Sequence, residues 1–445
     1  MVFGTRPEAI KLAPVIQRLR RKSEEADVDT VVCVTAQHRQ MLDQVLTLFD
    51  ISVDHDLDVM EQDQTPTRVA SEVLSSLEGV LAKEQPDWVV VQGDTTTVVA
   101  ASLASFYAGV PVAHVEAGLR THDRRQPFPE EIHRRVAGVI ADLHFAPTAL
   151  AKRNLLREGV PEEQILITGN PVIDALHQVL RLPPTPDVGN LIESLSTGEG
   201  RAGIVLVTAH RRENFGAPME SIARAILEIA ERYMGRFHIV YPVHPNPSVS
   251  GPMHHFLDGA PGVILLPPLD YLSIAHLMRE AHVVLTDSGG IQEEAPALGK
   301  PVLVLRDITE RPEAVEAGTV KVIGTERGRI VAETAALLDD EDEYSRMARS
   351  VNPYGDGRAS ERIVASFVGE DVEELLQEEG GRKEHKEHEF IENNYLKEEV
   401  KENIKNSASL SSPVLLSSAS KKSIEEATSI IYSKSIENSE EEKKE

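Results

Sequence analysis

The sequence predicts an α/β protein in which helices alternate with the strands of parallel sheets. From the start of the chain to about residue 350, short runs rich in β-branched residues alternate with longer helical patterns, which is the signature of βαβ units. The chain has 445 residues, of which 41% are hydrophobic. It can therefore bury more than one core, because single cores stop growing at roughly 250–300 residues. Two domains and an appendage are expected.

The predicted strands fall into two sets. The chain opens on Met1-Val2-Phe3-Gly4, which leaves a stub of strand before the first glycine, although a strand usually has about five residues. A few native residues are therefore expected before Met1. Further strands are predicted at 30–34, 88–92, 110–115 and 143–146 in a first sheet, and at 204–208, 238–242, 263–266, 283–286 and 302–305 in a second.

The boundary between the two sets is predicted near residues 171–186. It contains the run RLPPTP at 181–186, which cannot continue a helix and suits an interdomain linker. The final segment, residues 370–445, holds 20 acidic and 11 basic residues with little apolar periodicity. Such a segment cannot offset its ordering entropy by burial. It is predicted to be largely disordered, with at most one marginal helix, and to take no part in catalysis.

The composition excludes several classes of partner. The chain carries 72 Asp and Glu against 46 Lys and Arg, a formal net charge of −26, which repels nucleic acid and anionic membrane surfaces. An anionic substrate therefore needs a locally basic pocket. No run approaches the roughly 18 apolar residues of a membrane span, and the amino terminus lacks a signal-peptide pattern, so a cytoplasmic protein is expected. The single cysteine, Cys33, lies in an apolar run and is predicted to be a buried hydrophobic residue.

A first candidate ligand site follows the opening strand. The run FGTRPEAIK at 3–11 combines a strand end, a glycine turn and a helix start. This places Arg6 and Lys11 beside free backbone N–H groups at the carboxyl edge of a sheet, where open α/β folds bind ligands. A solvated basic pair beside an ordinary turn is an equally good interpretation. The dinucleotide fingerprint G-x-G-x-x-G is absent from this run, so bound NAD is not expected.

A second candidate site is the run TDSGGIQEE at 286–294. Here Ser288, Gly289 and Gly290 break a buried strand before a helix starts, and they allow the close backbone approach that a diphosphate needs. Glu294 could then bind ribose hydroxyls. The alternative is that Ser288 only caps the helix. After the next strand, Arg311 is a candidate phosphate ligand, or else a surface loop arginine.

Acid–base candidates follow strands in both predicted sheets. Asp94 and Glu116 come just after neighbouring strands, so parallel pairing would bring them to one rim. Glu130 and its neighbour Glu131 begin a helix, and His210 follows an apolar strand. Such groups transfer protons if their environments separate their pKa values. The alternatives are that Asp94 caps a helix, that Glu130 complements a helix dipole and that His210 is an ordinary loop histidine. No metal-ligand spacing is seen in these runs, so no metal ion is expected.

Taken together, the motifs closely resemble those of the non-hydrolysing UDP-N-acetylglucosamine 2-epimerases. They occur in the expected order from residue 2 to about residue 365. The resemblance implies a glycosyltransferase-B-like fold with two Rossmann-like domains facing a cleft. The first domain would span 1–175 and be joined by a returning helix at about 353–369; the UDP-binding domain would span 176–352. The motifs are GTRPE at 4–8, QHRQM at 37–41, GDTT at 93–96, EAGLR at 116–120, HRREN at 210–214, DSGGIQEE at 287–294 and ERPE at 310–313.

The resemblance also implies roles for particular residues. The catalytic set would be Asp94, Glu116, Glu130 and His210. The UDP would be held by Arg6, Lys11, Ser288, Gly289, Gly290, Glu294 and Arg311. Leu269 and Ile274 occupy nucleotide-contact positions where a polar and an aromatic residue are expected in some members, so the uracil contacts depart from that pattern. A second, activating UDP-N-acetylglucosamine would be bound by Gln37, Gln40, Arg68, Arg211 and His244.

The implied activity is the interconversion of UDP-N-acetylglucosamine and UDP-N-acetylmannosamine by elimination and re-addition of UDP, without a cofactor. A cytoplasmic homodimer that serves the synthesis of cell-surface polysaccharide is expected. Three alternatives stay open: a glycosyltransferase of the same fold, an epimerase that hydrolyses its product, and a catalytically silent UDP-sugar-binding module.

Overall fold

The computed structural model describes residues 1–26, 28–35, 39–59, 64–196, 202–370 and 372. The predicted tail, apart from Glu370 and Val372, lies outside the described residues. Among those that are described, no helix has both the length and the apolar character needed to cross a membrane.

Helices and strands alternate throughout this part of the chain, as the sequence pattern predicts. The strands are β1 (Val2–Phe3), β2 (Cys33–Val34), β3 (His55–Asp56), β4 (Val89–Gln92), β5 (Val112–Val115), β6 (Leu143–Ala146), β7 (Ile165–Ile167), β8 (Gly203–Thr208), β9 (Phe237–Pro242), β10 (Val263–Leu266), β11 (Ala281–Thr286), β12 (Val302–Val304) and β13 (Val320–Val322). The helices are α1 (Arg6–Ala26), α2 (Arg39–Leu48), α3 (Pro66–Glu84), α4 (Thr96–Ala108), α5 (Glu130–Ile140), α6 (Ala149–Arg157), α7 (Pro171–Val179), α8 (Pro186–Ser196), α9 (Ala217–Arg232), α10 (Pro247–Leu257), α11 (Tyr271–Glu280), α12 (Ile291–Ala297), α13 (Pro312–Glu316), α14 (Arg327–Asp339), α15 (Glu341–Ala348) and α16 (Ala359–Val368).

The strands form parallel sheets, which confirms the α/β prediction. In the second half of the chain, from β8 onward, the strand order is β10-β9-β8-β11-β12-β13. In the first half, up to α7, the orders are β1-β2-β3 and β4-β5-β6-β7. All of these strand pairs are parallel.

The prediction that the strands of the first set form a single sheet is wrong, because these strands belong to two sheets. The predicted strand at 30–34 is reduced to Cys33–Val34 in the smaller sheet, and the other three lie in the larger one. The two sheets meet where the edge strand β1 contacts the edge strand β4. β1 has only two residues, which leaves little backbone for a ladder that would join the sheets.

Three strands that the sequence analysis missed lie at sheet edges. These are β3, β7 and β13, each of two or three residues. β3 consists of a histidine and an aspartate that are not buried. An edge strand pairs on one side only and needs fewer apolar residues than a central one. Periodicity therefore gives little signal for these strands.

Two helices near the middle and end of the chain connect its halves. α7 packs against α1 of the first half and against α11 and α12 of the second. The proline-dense run at 181–186 follows α7, and its last residue, Pro186, is the first residue of α8. α16 packs against α1 and α7, and its start is held by Asp174, whose carboxylate accepts hydrogen bonds from the backbone N–H groups of Ala359 and Ser360 at 3.1 and 2.8 Å. The chain thus returns to its first half after α15.

Candidate active site at the sheet edges

Asp94 and Glu116 lie at one rim, here called the first edge, where β4 and β5 end. Gln92 pairs with Val115 at the last position of the two strands, so the residues that follow lie side by side. The carboxylate of Asp94 accepts from Arg134 of α5, with the Nη2–Oδ2 distance 2.6 Å. The alternative that Asp94 caps a helix is wrong, because Thr95 caps α4 instead.

Glu116 is held in a backbone conformation that most residues avoid. Its φ angle is +66°, in the left-handed region, and such residues persist where the surroundings hold them in place. The ammonium of Lys11 donates to Glu116 Oε2, and Gln92 Nε2 donates to the same oxygen at 2.5 Å. Lys11 is buried, so its interpretation as a solvated surface residue is wrong. Burial alone would lower the pKa of Lys11, but the negative charges of Glu116 and Glu293 outweigh the effect of burial, so the pKa is raised.

The first glycine turn differs from its prediction in one respect. The backbone N–H groups of Gly4 and Thr5 both donate to Oε2 of Glu8, at 3.1 and 2.7 Å, and Thr95 donates its hydroxyl to the other oxygen at 2.7 Å. The expectation of free amides at this turn is therefore wrong for these two residues. Glu8, in the first turn of α1, satisfies them in the manner of a capping carboxylate.

The structure distinguishes the two glutamates at the start of α5. Glu131 is fully buried and accepts from the backbone N–H groups of Thr121 and His122 at 3.0 and 3.1 Å, which gives it a structural role. Glu130 is partly exposed, and its Oε2 is a buried atom without a hydrogen-bond partner among the described residues. Glu130 therefore has an oxygen that no described residue satisfies, whereas both oxygens of Glu131 accept hydrogen bonds.

His210 lies at the corresponding rim of the large sheet, here called the second edge, where β8 and β11 end. Its backbone N–H and that of Arg211 each donate to Oδ2 of the buried Asp287 at 2.8 Å. The imidazole of His210 stacks on His244, with ring centroids 5.4 Å apart and an interplanar angle of 13°. Burial lowers the pKa of His210, and the negative charge of Asp287 acts in the opposite sense.

The Ser-Gly-Gly turn follows β11 at the second edge. A Cβ atom on Gly289 would lie 2.7 Å from Nη1 of Arg311, so a glycine is needed for the guanidinium to approach this closely. The backbone N–H of Ser288 donates to the hydroxyl of Thr286 at 2.9 Å. Gly290 is the N-cap residue of α12, without a side-chain cap. The alternative that Ser288 caps this helix is therefore wrong.

Arg311 is the centre of a buried charge network. Its Nε donates to Glu293 Oε1 at 2.5 Å and its Nη1 to Glu310 Oε1 at 2.8 Å. The interpretation as a surface loop arginine is wrong, since the residue is 6% exposed. Burial would raise the pKa of Glu310, but Arg311, Arg306 and Arg211 outweigh it and hold that pKa well below its usual range.

Glu294, Tyr271 and Arg6 form a further group near the start of α11 and α12. The hydroxyl of Tyr271 donates to Glu294 Oε2 at 2.7 Å, and burial raises the pKa of Glu294 to about 7. Burial lowers the pKa of Arg6, whose charge interacts with Glu294. Leu269 and Ile274 are partly buried and pack against the hydrophobic core.

The two edges meet through charged residues of both halves. The ammonium of Lys11, which binds Glu116, also interacts electrostatically with Glu293 and Arg311. Glu293 in turn accepts from Asn170 Nδ2 of the first half at 2.7 Å. The arrangement combines carboxylates for proton transfer with cations for an anionic group.

Of the residues predicted to hold a second ligand, Arg211 and His244 lie near the second edge. Arg211 Nη2 is 3.8 Å from Glu310 Oε1, and His244 is the residue stacked on His210. Arg68 is exposed on α3. Gln37 lies outside the described residues, as does the side chain of Gln40.

Several residues of the site were missed by sequence reasoning, namely Gln92, Arg134, Asp287, Glu293 and Glu310. Asp287, Glu293 and Glu310 stand beside predicted residues in the same motifs, so only that proximity could have indicated them. Within the described ranges, no group of three or more His, Cys, Asp and Glu residues is arranged to hold a metal ion.

Comparison with known proteins gives consistent results. A family model described as UDP-N-acetylglucosamine 2-epimerase matches residues 20–368. A UDP-N-acetylglucosamine 2-epimerase of Yersinia pestis is 51% identical over 373 residues, which cover 83% of this chain and 98% of that protein. The UDP-GlcNAc 2-epimerase of Neisseria meningitidis bound to UDP-GlcNAc has a TM-score of 0.77 and 48% identity, with 83% of this chain and 98% of that chain covered. The Methanocaldococcus jannaschii UDP-GlcNAc 2-epimerase in complex with UDP-GlcNAc and UDP has a TM-score of 0.68 and 35% identity, with 82% and 98% covered.

Proposed function

The chain belongs to the UDP-N-acetylglucosamine 2-epimerase family, and from this premise we propose that it is an isomerase that interconverts UDP-N-acetylglucosamine and UDP-N-acetylmannosamine. The observation that carries the proposal is the meeting of the two edges. The Lys11–Glu116 pair of the first edge lies within electrostatic reach of the Glu293–Arg311 pair of the second. Proton-transfer groups and diphosphate-binding cations can then act on one bound ligand.

Inversion at C2 needs a route around the low acidity of the C2 proton, because no carbonyl carbon is adjacent to it. In the proposed reaction the bond from C1 to the diphosphate oxygen breaks, and its electron pair leaves with UDP, so positive charge develops on the ring. A base takes the C2 proton and a C1–C2 double bond forms, giving a glycal. UDP then adds back to C1 as a proton returns to the opposite face of C2. No net oxidation occurs, so the reaction needs no redox cofactor.

The cations stabilise the departing diphosphate in this reaction. Arg6, Lys11 and Arg311 supply positive charge, and the Ser288 hydroxyl with the amides of Gly289 and Gly290 supplies hydrogen bonds. Each preorganised donor of this kind contributes about 3–4 kcal/mol to transition-state stabilisation. Burial of Arg311 between two carboxylates supports this role, because it fixes the guanidinium before the ligand arrives. Glu294 binds the ribose hydroxyls.

The carboxylates of the first edge and His210 move the protons. Asp94, Glu116 and Glu130 stabilise the cationic ring and exchange the C2 proton, and His210 acts on the diphosphate. The partly exposed Asp94 side chain, at 28%, and the unpartnered oxygen of Glu130 support this division. Among the described residues, neither of these two side chains belongs to a buried ion pair like that of Glu116 with Lys11.

The test is to incubate the pure protein with UDP-N-acetylglucosamine alone in deuterated buffer and to follow the sugar protons by NMR. The expected product is UDP-N-acetylmannosamine that carries deuterium at C2. Release of free N-acetylmannosamine and UDP would indicate a hydrolysing epimerase instead. Turnover that requires an added acceptor would indicate a glycosyltransferase, and UDP binding without turnover would indicate a silent binding module.

We also propose that the protein forms a homodimer in the cytoplasm. Phe106 and Tyr107, at the end of the largely apolar helix α4, are 64% and 74% exposed. They lie beside a groove of about 690 Å³ between α3 and α4. An exposed apolar patch of this kind is typical of a protein interface, and a second copy would cover it. Light scattering should give the mass of a dimer for the native chain and a smaller mass for Tyr107→Glu, with Met234→Glu as the control at another exposed hydrophobic residue.

A further inference from the structure

The carboxylate of Asp287 uses its two oxygens very differently. Oδ2 accepts three hydrogen bonds, from the backbone N–H groups of His210 and Arg211 at 2.8 Å each and from Asn214 Nδ2 at 3.0 Å. Oδ1 is buried and has no hydrogen-bond partner among the described residues. Asp287 itself is 0% exposed. A buried, unpaired oxygen of a carboxylate is unfavourable, so it requires an explanation.

The imidazole of His210 provides that explanation. Its Nδ1 lies 3.5 Å from Asp287 Oδ1. This separation exceeds the usual range of about 2.7–3.2 Å for an N–H···O bond, and a small rotation of the ring would close it. Catalytic hydrogen bonds are often long in ligand-free structures and shorten when substrate binds. The His210 side chain is 39% exposed, so the ring is fixed on one side and accessible on another.

We propose that Asp287 is a positioning residue for His210: its Oδ1 accepts the Nδ1–H of the imidazole, so that Nε2, at the opposite edge of the ring, exchanges a proton with the diphosphate of the substrate. The choice of tautomer follows from the partner of the other nitrogen, since a ring that donates from Nδ1 must accept at Nε2. In this respect Asp287 resembles the aspartate of a hydrolase triad, which orients a histidine and stabilises its protonated form. The part played by the substrate rests on the function proposed above.

The charged groups around His210 favour this assignment. Asp287 stabilises the protonated ring, whereas His244, Arg211 and Arg6 oppose protonation, as does burial. Neutralising Asp287 therefore removes the negative charge that keeps the histidine able to accept a proton. A carboxylate that served only to hold the 210–214 loop would need Oδ2 alone and would leave the tautomer of His210 unchanged.

The tautomer can be read directly by NMR of the full chain labelled with ¹⁵N-histidine, with the His210 signals assigned by their loss in His210→Ala. The native protein should carry its proton on Nδ1. In Asp287→Asn, the amide oxygen replaces Oδ2 as the acceptor of the loop amides, and the amide NH₂ faces His210. The ring should then switch to the Nε2–H form, and the pKa of His210 should fall. Asn214→Ala is the control: it removes the hydrogen bonds from Asn214 Nδ2 to Oδ2 and to the Leu305 carbonyl, leaves Oδ1 unchanged, and should keep the native tautomer.

Turnover gives a second readout. Asp287→Asn should lower kcat by about 10²–10⁴-fold, the range expected when general acid–base catalysis is lost. The double variant with His210→Ala should be no slower than His210→Ala alone, because the two residues act as one unit. An Nε2–H tautomer in the native protein would overturn the proposal, even if Asp287→Asn failed to fold. Additive losses of kcat in the double variant would also overturn the proposal. The NMR result does not depend on turnover, so it stands or falls separately from the proposed epimerase activity.

Discussion

Asp94 at the first edge and the network around Arg311 at the second edge hold their charges in different ways. At the first edge, the side chain of Asp94 is 28% exposed and has one cationic partner, Arg134. At the second edge, Arg311, Glu293 and Glu310 are each no more than 8% exposed. Arg311 contacts both of these carboxylates, and Glu310 also contacts Arg306 at 2.6 Å.

The difference indicates a division of labour. A buried network of ion pairs is fixed during folding, so its cations need little reorganisation when a diphosphate arrives. A carboxylate with one partner and some solvent access can gain and lose a proton at a smaller energetic penalty. Changes at Asp94 should therefore act on turnover, and changes in the buried network around Arg311 should act on ligand binding and on stability.

The largest expected effect is on turnover after Asp94→Asn or His210→Ala. Each should lower kcat by about 10²–10⁴-fold, because general acid–base catalysis contributes on that order. UDP affinity, measured by calorimetry, should remain close to that of the native protein. Asp258→Asn, at an exposed aspartate paired with His254, is the matched control and should change neither quantity. If Asp94→Asn lost UDP binding as completely as a change at Arg311 does, the division of labour between Asp94 and the Arg311 network would be wrong.

Arg311→Ala should destabilise the fold as well as weaken UDP binding. Removal of the guanidinium leaves Glu293 and Glu310 buried without that partner, and breaking a buried pair costs about 3–5 kcal/mol. Urea unfolding measures the change in the free energy of unfolding. Arg327→Ala is the control, since its pair with Glu228 is exposed and should contribute less than about 1 kcal/mol. An Arg311→Ala protein as stable as this control would show that the network is not preorganised.

The alternation of strands and helices made the α/β class predictable, because buried parallel strands are continuous apolar runs, as in β8 and β11. The motifs also indicated the strand ends at which Asp94, Glu116 and His210 lie. The burial of Lys11 and Arg311 was not predictable, since a lone basic residue in the first turns of a helix or in a loop is usually solvated. Likewise, the capture of the Gly4 and Thr5 amides by Glu8 depends on one rotamer, which no pattern of residue types specifies.

The second edge should also show a pH dependence that depends on Glu294. Its folded-state pKa of about 7 lies above the usual value of 4.5, so between these values the folded state binds a proton that the unfolded state has lost. Stability from this group is therefore present at low pH and is lost as the pH rises toward 7. From pH 5 to pH 7 the native protein should lose about 2 kcal/mol relative to Glu294→Gln. If the free energy of unfolding of both proteins changed by the same amount from pH 5 to pH 7, the raised pKa of Glu294 would be contradicted.

The smallest expected effect concerns Arg211, which lies at the second edge but contacts its buried network loosely. Its guanidinium is 3.8 Å from Glu310 and its side chain is 36% exposed, so Arg211→Ala should change stability by less than about 1 kcal/mol. Its backbone N–H shares Asp287 with that of His210, while the two side chains contact different partners. We propose that Arg211 responds to a ligand other than the reacting sugar.

We propose that this second ligand is UDP-N-acetylglucosamine, bound by Gln37, Gln40, Arg68, Arg211 and His244. A ligand that contacts both halves binds the closed arrangement more tightly than an open one and shifts the population toward it. The stacking of His244 on His210 would then couple that ligand to a catalytic residue. Pure UDP-N-acetylmannosamine should turn over after a lag, a trace of UDP-N-acetylglucosamine should remove the lag, and Gln40→Ala or Arg211→Ala should alter this response. Linear progress from the first seconds, unaffected by added UDP-N-acetylglucosamine, would exclude a required activator and would leave Arg211 as a residue of the second edge alone.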